Sequence, residues 1–467
     1  MFWKLSSALV ITLLAILIHL FLEDKLFTPG ELPDLPDTCW TDACDKREQL
    51  EPFKISVSDA ELADLKSRIG SDLKKIVKPL NDIGFEYGFN SEYLKEIAKY
   101  WNDSYKWRQQ ETFINNVPQF TTRIDGLDIH FLHAKPKSES GKKIVPLLLV
   151  HGWPGSFVEF LDIIPLLTVG NSELAFEVVA PSIPGYGFSS APQKPGHNAA
   201  HTAKIFRDLM LRLGHSEFYC QGGDWGALVT TNLATFFPDN VRGLHVNMAG
   251  AFTNGGMAKS YLARIPGLKY LIADPEDFDK VPDFGFLLQE SGYMHLQATK
   301  PDTVGMGLSS SPLGLAAYIM EKFSTWTDPA WRELQDGGLE TKTAMDKDRM
   351  LTNVMIYWIT NSITSSMRYY KENLSSYDMA VANTPVRVPV GFADLPHELT
   401  RVPRHQLTGK FPRLVSLTTL PSGGHFAAME VPGDLAADVL TFASKVEKMK
   451  WLWKITHLSI DTFNVKS

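Results

Sequence analysis

From residue 144 onward the chain alternates short apolar runs with helical stretches: IVPLLLV, AFEVVAP, FYCQGG and GLHVN come first, and VRVPVGF and LVSLTTL follow after a long gap. Runs of this length, rich in β-branched residues, suit strands buried on both faces of a parallel sheet. The chain is therefore expected to form an α/β fold with a mostly parallel, doubly wound sheet. In the gap, residues 252–375, the strand signal disappears and amphipathic stretches such as SPLGLAAYIMEKF and NVMIYWITNSITSSMRYY replace it. A helical lid inserted late in the sheet explains the change. Residues 141–251 and 376–450 are then the two parts of one core.

The amino terminus follows a different rule. Residues 5–22 read LSSALVITLLAILIHLFL, with no formal charge, between Lys4 and the EDK of residues 23–25. Eighteen residues at about 1.5 Å each span roughly 27 Å, close to the thickness of a bilayer core. A cleaved signal peptide is the rival, but no small-residue cleavage site follows the run. Residues 1–25 are thus expected to be an uncleaved, single-pass membrane anchor, with basic residues on both flanks that leave its orientation open. Residues 26–51, rich in proline and acid, read as a linker over the membrane surface. Residues 52–140 form an N-terminal segment, in which a capping box pairs Ser58 with Glu61 ahead of Leu62, Leu65 and Ile69 at helical spacing. A short strand pair is expected near residues 120–133, and Tyr100, Trp101, Tyr105 and Trp107 read as packing residues. Residues 451–467 are left as a tail.

Composition narrows the partners. An apolar share of 44% and a charged share of 21% are those of an ordinary globular protein, and a net charge of -7 offers no footprint for nucleic acid. The three cysteines, Cys39, Cys44 and Cys220, exclude a disulfide framework and allow at most one bridge. Cys39 and Cys44 could pair with each other near the membrane, but two unpaired surface thiols are the expected reading. Nothing in the sequence implies a cofactor or a metal.

The chemistry is concentrated where strands end. FYCQGGDWGAL places Asp224 after an apolar run, among Gly222, Gly223, Gly226 and Ala227, with a helix starting at once. Small residues on both sides permit a sharp strand-to-helix turn that lifts one side chain into a cleft, a nucleophile elbow with Asp in the usual place of Ser. A carboxylate suits displacement at saturated carbon, giving an alkyl ester on the enzyme. A plain helix N-cap aspartate is the alternative. In HGWPGSF, Gly152 lets the backbone turn toward the nucleophile, and the N–H groups of Trp153 and Trp225 are placed to supply two donors to an oxyanion. His425, in the GGHF loop after LVSLTTL, stands where this kind of fold carries its general base. The acid that orients it must come from the end of the preceding strand, where Asp394 and Glu398 are both within reach by spacing. The order Asp224, acid, His425 is that of nucleophile, acid and histidine in hydrolases of this type.

At these residues the sequence resembles the microsomal-type epoxide hydrolases, and especially the arthropod juvenile hormone epoxide hydrolases. The resemblance runs from the N-terminal run to about residue 450 and includes FEYGFN, HGWPGS, PSIPGYGFS, QGGDWGAL, SGYMHLQATKPDTVG, EKFSTWT and GGHFAAME. It implies an α/β-hydrolase fold, no cofactor, residence in the endoplasmic reticulum (microsome) membrane, and an acid at Glu398, with Asp394 as a departure that keeps a second candidate. It also implies two lid tyrosines that protonate the epoxide oxygen, at Tyr293 and Tyr370, with Tyr369 the neighbouring rival for the second.

The tyrosines also make chemical sense. An alkoxide is a poor leaving group, and a phenol of pKa about 10 can donate as the C–O bond breaks. A haloalkane dehalogenase would share the Asp elbow but needs no such acid, so the tyrosine pair separates the two. A catalytically silent, membrane-tethered binding protein is the reading from another class, and a triad filled at every position argues against it. An apolar lid and a tether favour lipophilic small-molecule epoxides, either juvenile hormone-like terpenoids or xenobiotic oxides.

Overall fold

The six apolar runs become six strands of a nine-stranded sheet in the computed structural model, which describes residues 30–463 apart from 43, 45–47, 138–140, 377 and most of 250–283. The strands are β1 (Glu51–Phe53), β2 (Gln119–Ile124), β3 (Leu127–Ala134), β4 (Lys143–Val150), β5 (Leu174–Pro181), β6 (Phe218–Gly222), β7 (Val241–Val246), β8 (Val390–Asp394) and β9 (Leu414–Thr419). Their spatial order is β1-β2-β3-β5-β4-β6-β7-β8-β9. From β5 to β9 the neighbours are parallel, and β1, β2 and β3 extend the β5 edge in antiparallel fashion. Leu147, Leu148, Leu149 and Val150 of β4 are buried whichever way they point, as a central strand covered on both faces requires.

The expected strand pair is the β2–β3 hairpin. It closes through Asp125 and Gly126, both at positive φ (51° and 82°), the backbone that a tight two-residue hairpin needs. VRVPVGF is only half a strand: β8 begins at Val390, because Pro389 has no N–H to give to a ladder.

In the N-terminal segment α1 (Asp59–Leu73) starts from the Ser58–Glu61 capping box and buries Leu65 and Ile69. It is followed by α2 (Ser91–Asp103) and α3 (Trp107–Asn115), where Trp101 and Trp107 are core residues together with Tyr105 between the helices. Part of the stretch read as a linker is docked on the core, around residues 37–41. Trp40 is buried, its N–H bonds to the Asp125 carbonyl, and its own carbonyl receives the Gln193 N–H. Asp37 pairs with Lys204 at 2.8 Å. The expectation of two free thiols is also corrected, since Cys39 and Cys44 form a disulfide across the loop that carries Trp40, while Cys220 is free and buried in β6.

In the core, α4 (Ala199–Arg212) packs on α5 (Asp224–Phe236). Between β7 and β8 lie the lid helices α6 (Phe284–Glu290), α7 (Gly292–Thr299), α8 (Pro301–Ser310), α9 (Pro312–Thr325), α10 (Lys347–Thr360) and α11 (Ile363–Ser375). The second amphipathic stretch is two helices, because Asn361 adopts the left-handed conformation (φ 51°) that ends α10. After β9 come α12 (Ala427–Glu430) and α13 (Pro432–Phe463), and α13 packs against β7, β8 and β9. Residues 1–25, read as the anchor, lie outside the described residues, among which no helix is long and apolar enough to cross a membrane.

Candidate active site

The site begins at a backbone turn. β6 ends at Gly222 and α5 starts at Asp224, so the N-cap position falls to Gly223 and not to the aspartate. Asp224 has φ 50°, a conformation that costs a non-glycine residue roughly 1–2 kcal/mol and must be held by its surroundings. The holding is tight: a Cβ on Gly226 would lie 1.9 Å from the Val150 carbonyl oxygen, and one on Gly152 would lie 2.3 Å from both Cβ and Oδ1 of Asp224. Glycine at these two places lets the ends of β4 and β6 close on each other. The result is a hydrogen bond of 2.7 Å from the Trp153 N–H to Asp224 Oδ1. The Trp225 N–H makes no such bond in this structure; its ring instead meets Tyr370, with centroids 4.7 Å apart.

His425 enters from the loop after β9. Its Nε2 stands 3.3 Å from Asp224 Oδ2, a charge contact rather than a hydrogen bond, and its Nδ1 lies 2.7 Å from Glu398 Oε1. Burial disfavours the imidazolium, but the Glu398 and Asp224 carboxylates outweigh it and hold His425 well above the usual histidine range. Of the two acids within reach by spacing, Glu398 is the one beside the imidazole. Asp394, at the end of β8, is tied instead to Arg401 and Lys280, each 3.1 Å from its Oδ2.

The lid contributes an aromatic wall. Tyr293, on α7, stacks on the Trp153 indole, with centroids 5.4 Å apart and planes 6° from parallel. Tyr370, on α11, stands edge-on to Trp153 and against Trp225, and its hydroxyl meets no partner at hydrogen-bond geometry among the described residues. Burial raises both phenols above the ordinary tyrosine value, helped by the Asp224 charge at Tyr293 and by Tyr293 and then Asp224 at Tyr370, so each keeps its proton. The neighbouring Tyr369 turns away, its hydroxyl 3.0 Å from Thr202 Oγ1.

Other residues of the site carried no signal of their own in the sequence. Tyr318 and Trp326, on and just after α9, meet the Trp153 ring; Trp326 also stands edge-on to His425, 4.9 Å between centroids. Glu159 sits with Asp224 and His425 around a cavity of about 20 Å³, room for one water. Burial pushes its carboxyl up to about 8, and Gly155 is side-chain-free where its Oε1 needs the space, since a Cβ there would lie 1.3 Å away. Elsewhere among the described residues His133, Glu177 and His215 bring ligating atoms together, but this group shares no residue with the site.

A half-buried carboxylate lifted by a strained turn, a histidine–carboxylate pair behind it and two protonated phenols in front form a device for nucleophilic attack with acid assistance. Comparison with known proteins gives a consistent picture. The profile described as "Epoxide hydrolase N terminus" matches residues 50–160, and that of the "alpha/beta hydrolase fold" matches residues 145–377. The chain is 50% identical to "Epoxide hydrolase 1" of Oryctolagus cuniculus over 442 residues, 91% of this chain and 94% of that one. It is 43% identical to "Juvenile hormone epoxide hydrolase 1" of Ctenocephalides felis, covering 89% of this chain and 91% of that one. Among solved structures, the juvenile hormone epoxide hydrolase of the silkworm Bombyx mori superposes with a TM-score of 0.82 at 44% identity, over 86% of this chain and 96% of that one. The epoxide hydrolase of Aspergillus niger does so with a TM-score of 0.68 at 31% identity, over 85% and 97%.

Proposed function

Because the chain belongs to the epoxide hydrolases and carries their α/β-hydrolase fold, we propose that it turns lipophilic epoxides into vicinal diols through an ester formed on Asp224. The observation that carries the mechanism is the division of labour between the two Asp224 oxygens. Oδ1 is occupied by the Trp153 N–H, which leaves Oδ2, on the side of His425, as the freer nucleophile. Oδ2 attacks an oxirane carbon, the C–O bond breaks, and the oxygen takes a proton from Tyr293 or Tyr370. Water then attacks the ester carbonyl as His425, oriented by Glu398, removes its proton. The oxyanion forms on the oxygen that already faces the Trp153 N–H, so its stabilising dipole is in place beforehand. Of the two protons of water, one reaches the departing oxygen and the other restores the phenol.

Trp225 is assigned a wall position beside Tyr370, with its N–H available as the second donor once negative charge develops. The substrate class follows from the wall of Trp153, Trp225, Trp326 and Tyr293, which favours apolar epoxides of the terpenoid or xenobiotic kind over polar ones. Residues 1–25 would tether the enzyme to the endoplasmic reticulum membrane, where such substrates partition. A single turnover in 18O-labelled water tests the route. The first diol should be unlabelled, with label appearing in the Asp224 carboxylate; label in the first diol would mean that water attacks the epoxide directly.

A further inference from the structure

The loop that carries His425 is pinned at three consecutive peptide groups. The Gly424 N–H donates to Glu430 Oε2 at 2.9 Å, the His425 N–H to the Trp326 carbonyl at 3.0 Å, and the Phe426 N–H to Glu430 Oε1 at 2.9 Å. One carboxylate, on the last residue of α12, thus straddles the histidine and holds the peptide on each side of it. Glu430 is itself buried, so both oxygens are committed to this task. The Trp326 carbonyl belongs to the end of α9, so the lid also helps to fix the loop.

We infer that Glu430 is a positioning residue for the hydrolytic half of the reaction, setting the His425 imidazole so that Nε2 faces the Asp224 ester while Nδ1 stays on Glu398. The geometry leaves little slack. A general base has to lie within hydrogen-bond reach of the proton it removes. His425 reaches Asp224 and Glu398 through opposite edges of one ring, and a small rotation of its peptide would break one contact to keep the other. Two bonds from flanking N–H groups to one buried carboxyl group resist that rotation. Alkylation by Asp224 makes no demand on the imidazole as a base, so the two steps should respond differently to loss of the clamp.

This assignment rests on His425 acting as the base of the second step. The test is rapid-quench kinetics on the full-length enzyme with styrene oxide, following ester formation and ester decay separately. Glu430→Gln keeps one acceptor oxygen and turns an NH2 group toward the other N–H. We expect ester decay to slow by about 10- to 100-fold, in the range of a misaligned general base, while ester formation stays within about threefold and the ester accumulates. Glu430→Asp, too short to span both N–H groups, should fall between wild type and Gln, and it serves if the Gln variant does not fold. Should either folded variant break down the ester at the wild-type rate, or slow both steps equally, Glu430 has no positioning role and only supports the fold. His425→Gln run in parallel separates the two ideas: if it does not stall at the ester, the base assignment itself fails, whatever Glu430 does.

Discussion

Tyr293 and Tyr370 come from different lid helices, yet their rings meet edge to face, 5.9 Å apart at 82°. Burial, together with the charge of Asp224, raises both phenols and keeps them protonated. Either phenol can partly serve the opening oxygen. Tyr293→Phe or Tyr370→Phe should each slow single-turnover alkylation by about 10- to 100-fold, and the double change should nearly abolish it, consistent with the usual contribution of a general acid. Tyr369→Phe should change the rate only a few-fold, since its hydroxyl is spent on Thr202. Unchanged alkylation in the double variant would remove the pair from the mechanism.

Gly152 is a place where one methyl group should be decisive. Its Cβ would lie 2.3 Å from Asp224 Oδ1, so Gly152→Ala must push apart the turn that delivers the Trp153 N–H. The expected result is a stability loss of about 1–3 kcal/mol, as for other overpacked sites, seen as a lower Tm, together with a larger loss of kcat. A variant with wild-type kcat would show that the contact between these loops is dispensable.

The two carboxylates near His425 should fail in different ways. Asp394→Asn strips the buried partner from Arg401 and Lys280, so its main effect should be on stability, about 3 kcal/mol, with slower steps in proportion to unfolding. Glu398→Gln should instead slow ester decay. The pH dependence carries a sign. Glu398 raises the His425 pKa, so its removal lowers that pKa, and the acid limb of ester decay should move to lower pH while the plateau falls. An acid limb that moves upward, or does not move, would mean that another group titrates there.

Much of this site was legible before any coordinates because its parts are local. Asp224 lies on one strand-to-helix turn whose glycines are adjacent in sequence, and His425 follows a strand by a few residues. The choice between Asp394 and Glu398 was not legible by spacing, because what removes Asp394 from contention is a pairing with Arg401 and Lys280 that only the folded chain makes. Tyr369 and Tyr370 are a similar case: neighbours on a helix point about 100° apart, and only packing says which faces Asp224. Glu430 was present in the GGHFAAME stretch, but its bond to two backbone N–H groups has no sequence signature. The docking of Trp40 was missed because proline and acid mask a single anchoring aromatic.

Deleting residues 1–25 should release active enzyme. No described contact of the triad depends on them, and among the described residues Asp37 and Trp40 already tie the chain to the core. Truncated enzyme should appear in the supernatant after high-salt washing with unchanged kcat on a soluble epoxide. If folded, truncated protein stays in the membrane pellet, the apolar run is not the principal tether.

His425→Gln gives the most direct test of the two-step route. An ordinary carboxylate is ionised near neutral pH and needs no base to attack an oxirane carbon, whereas water must lose a proton before it attacks an ester. In the resting enzyme the imidazole is held protonated largely by two carboxylates. In the proposed route ester formation would remove the charge of one of them, Asp224, so the His425 pKa should fall just when a neutral base is required. The first step therefore prepares the base for the second. In His425→Gln the first step should proceed and the second should not. Mass spectrometry after mixing with epoxide should show one adduct of substrate mass on the Asp224 peptide, with diol formation reduced by a factor on the order of 10² to 10⁴. Asp224→Ala should show neither adduct nor diol. If folded His425→Gln forms no adduct yet binds substrate, the histidine acts on the epoxide step itself and the ester route has to be given up.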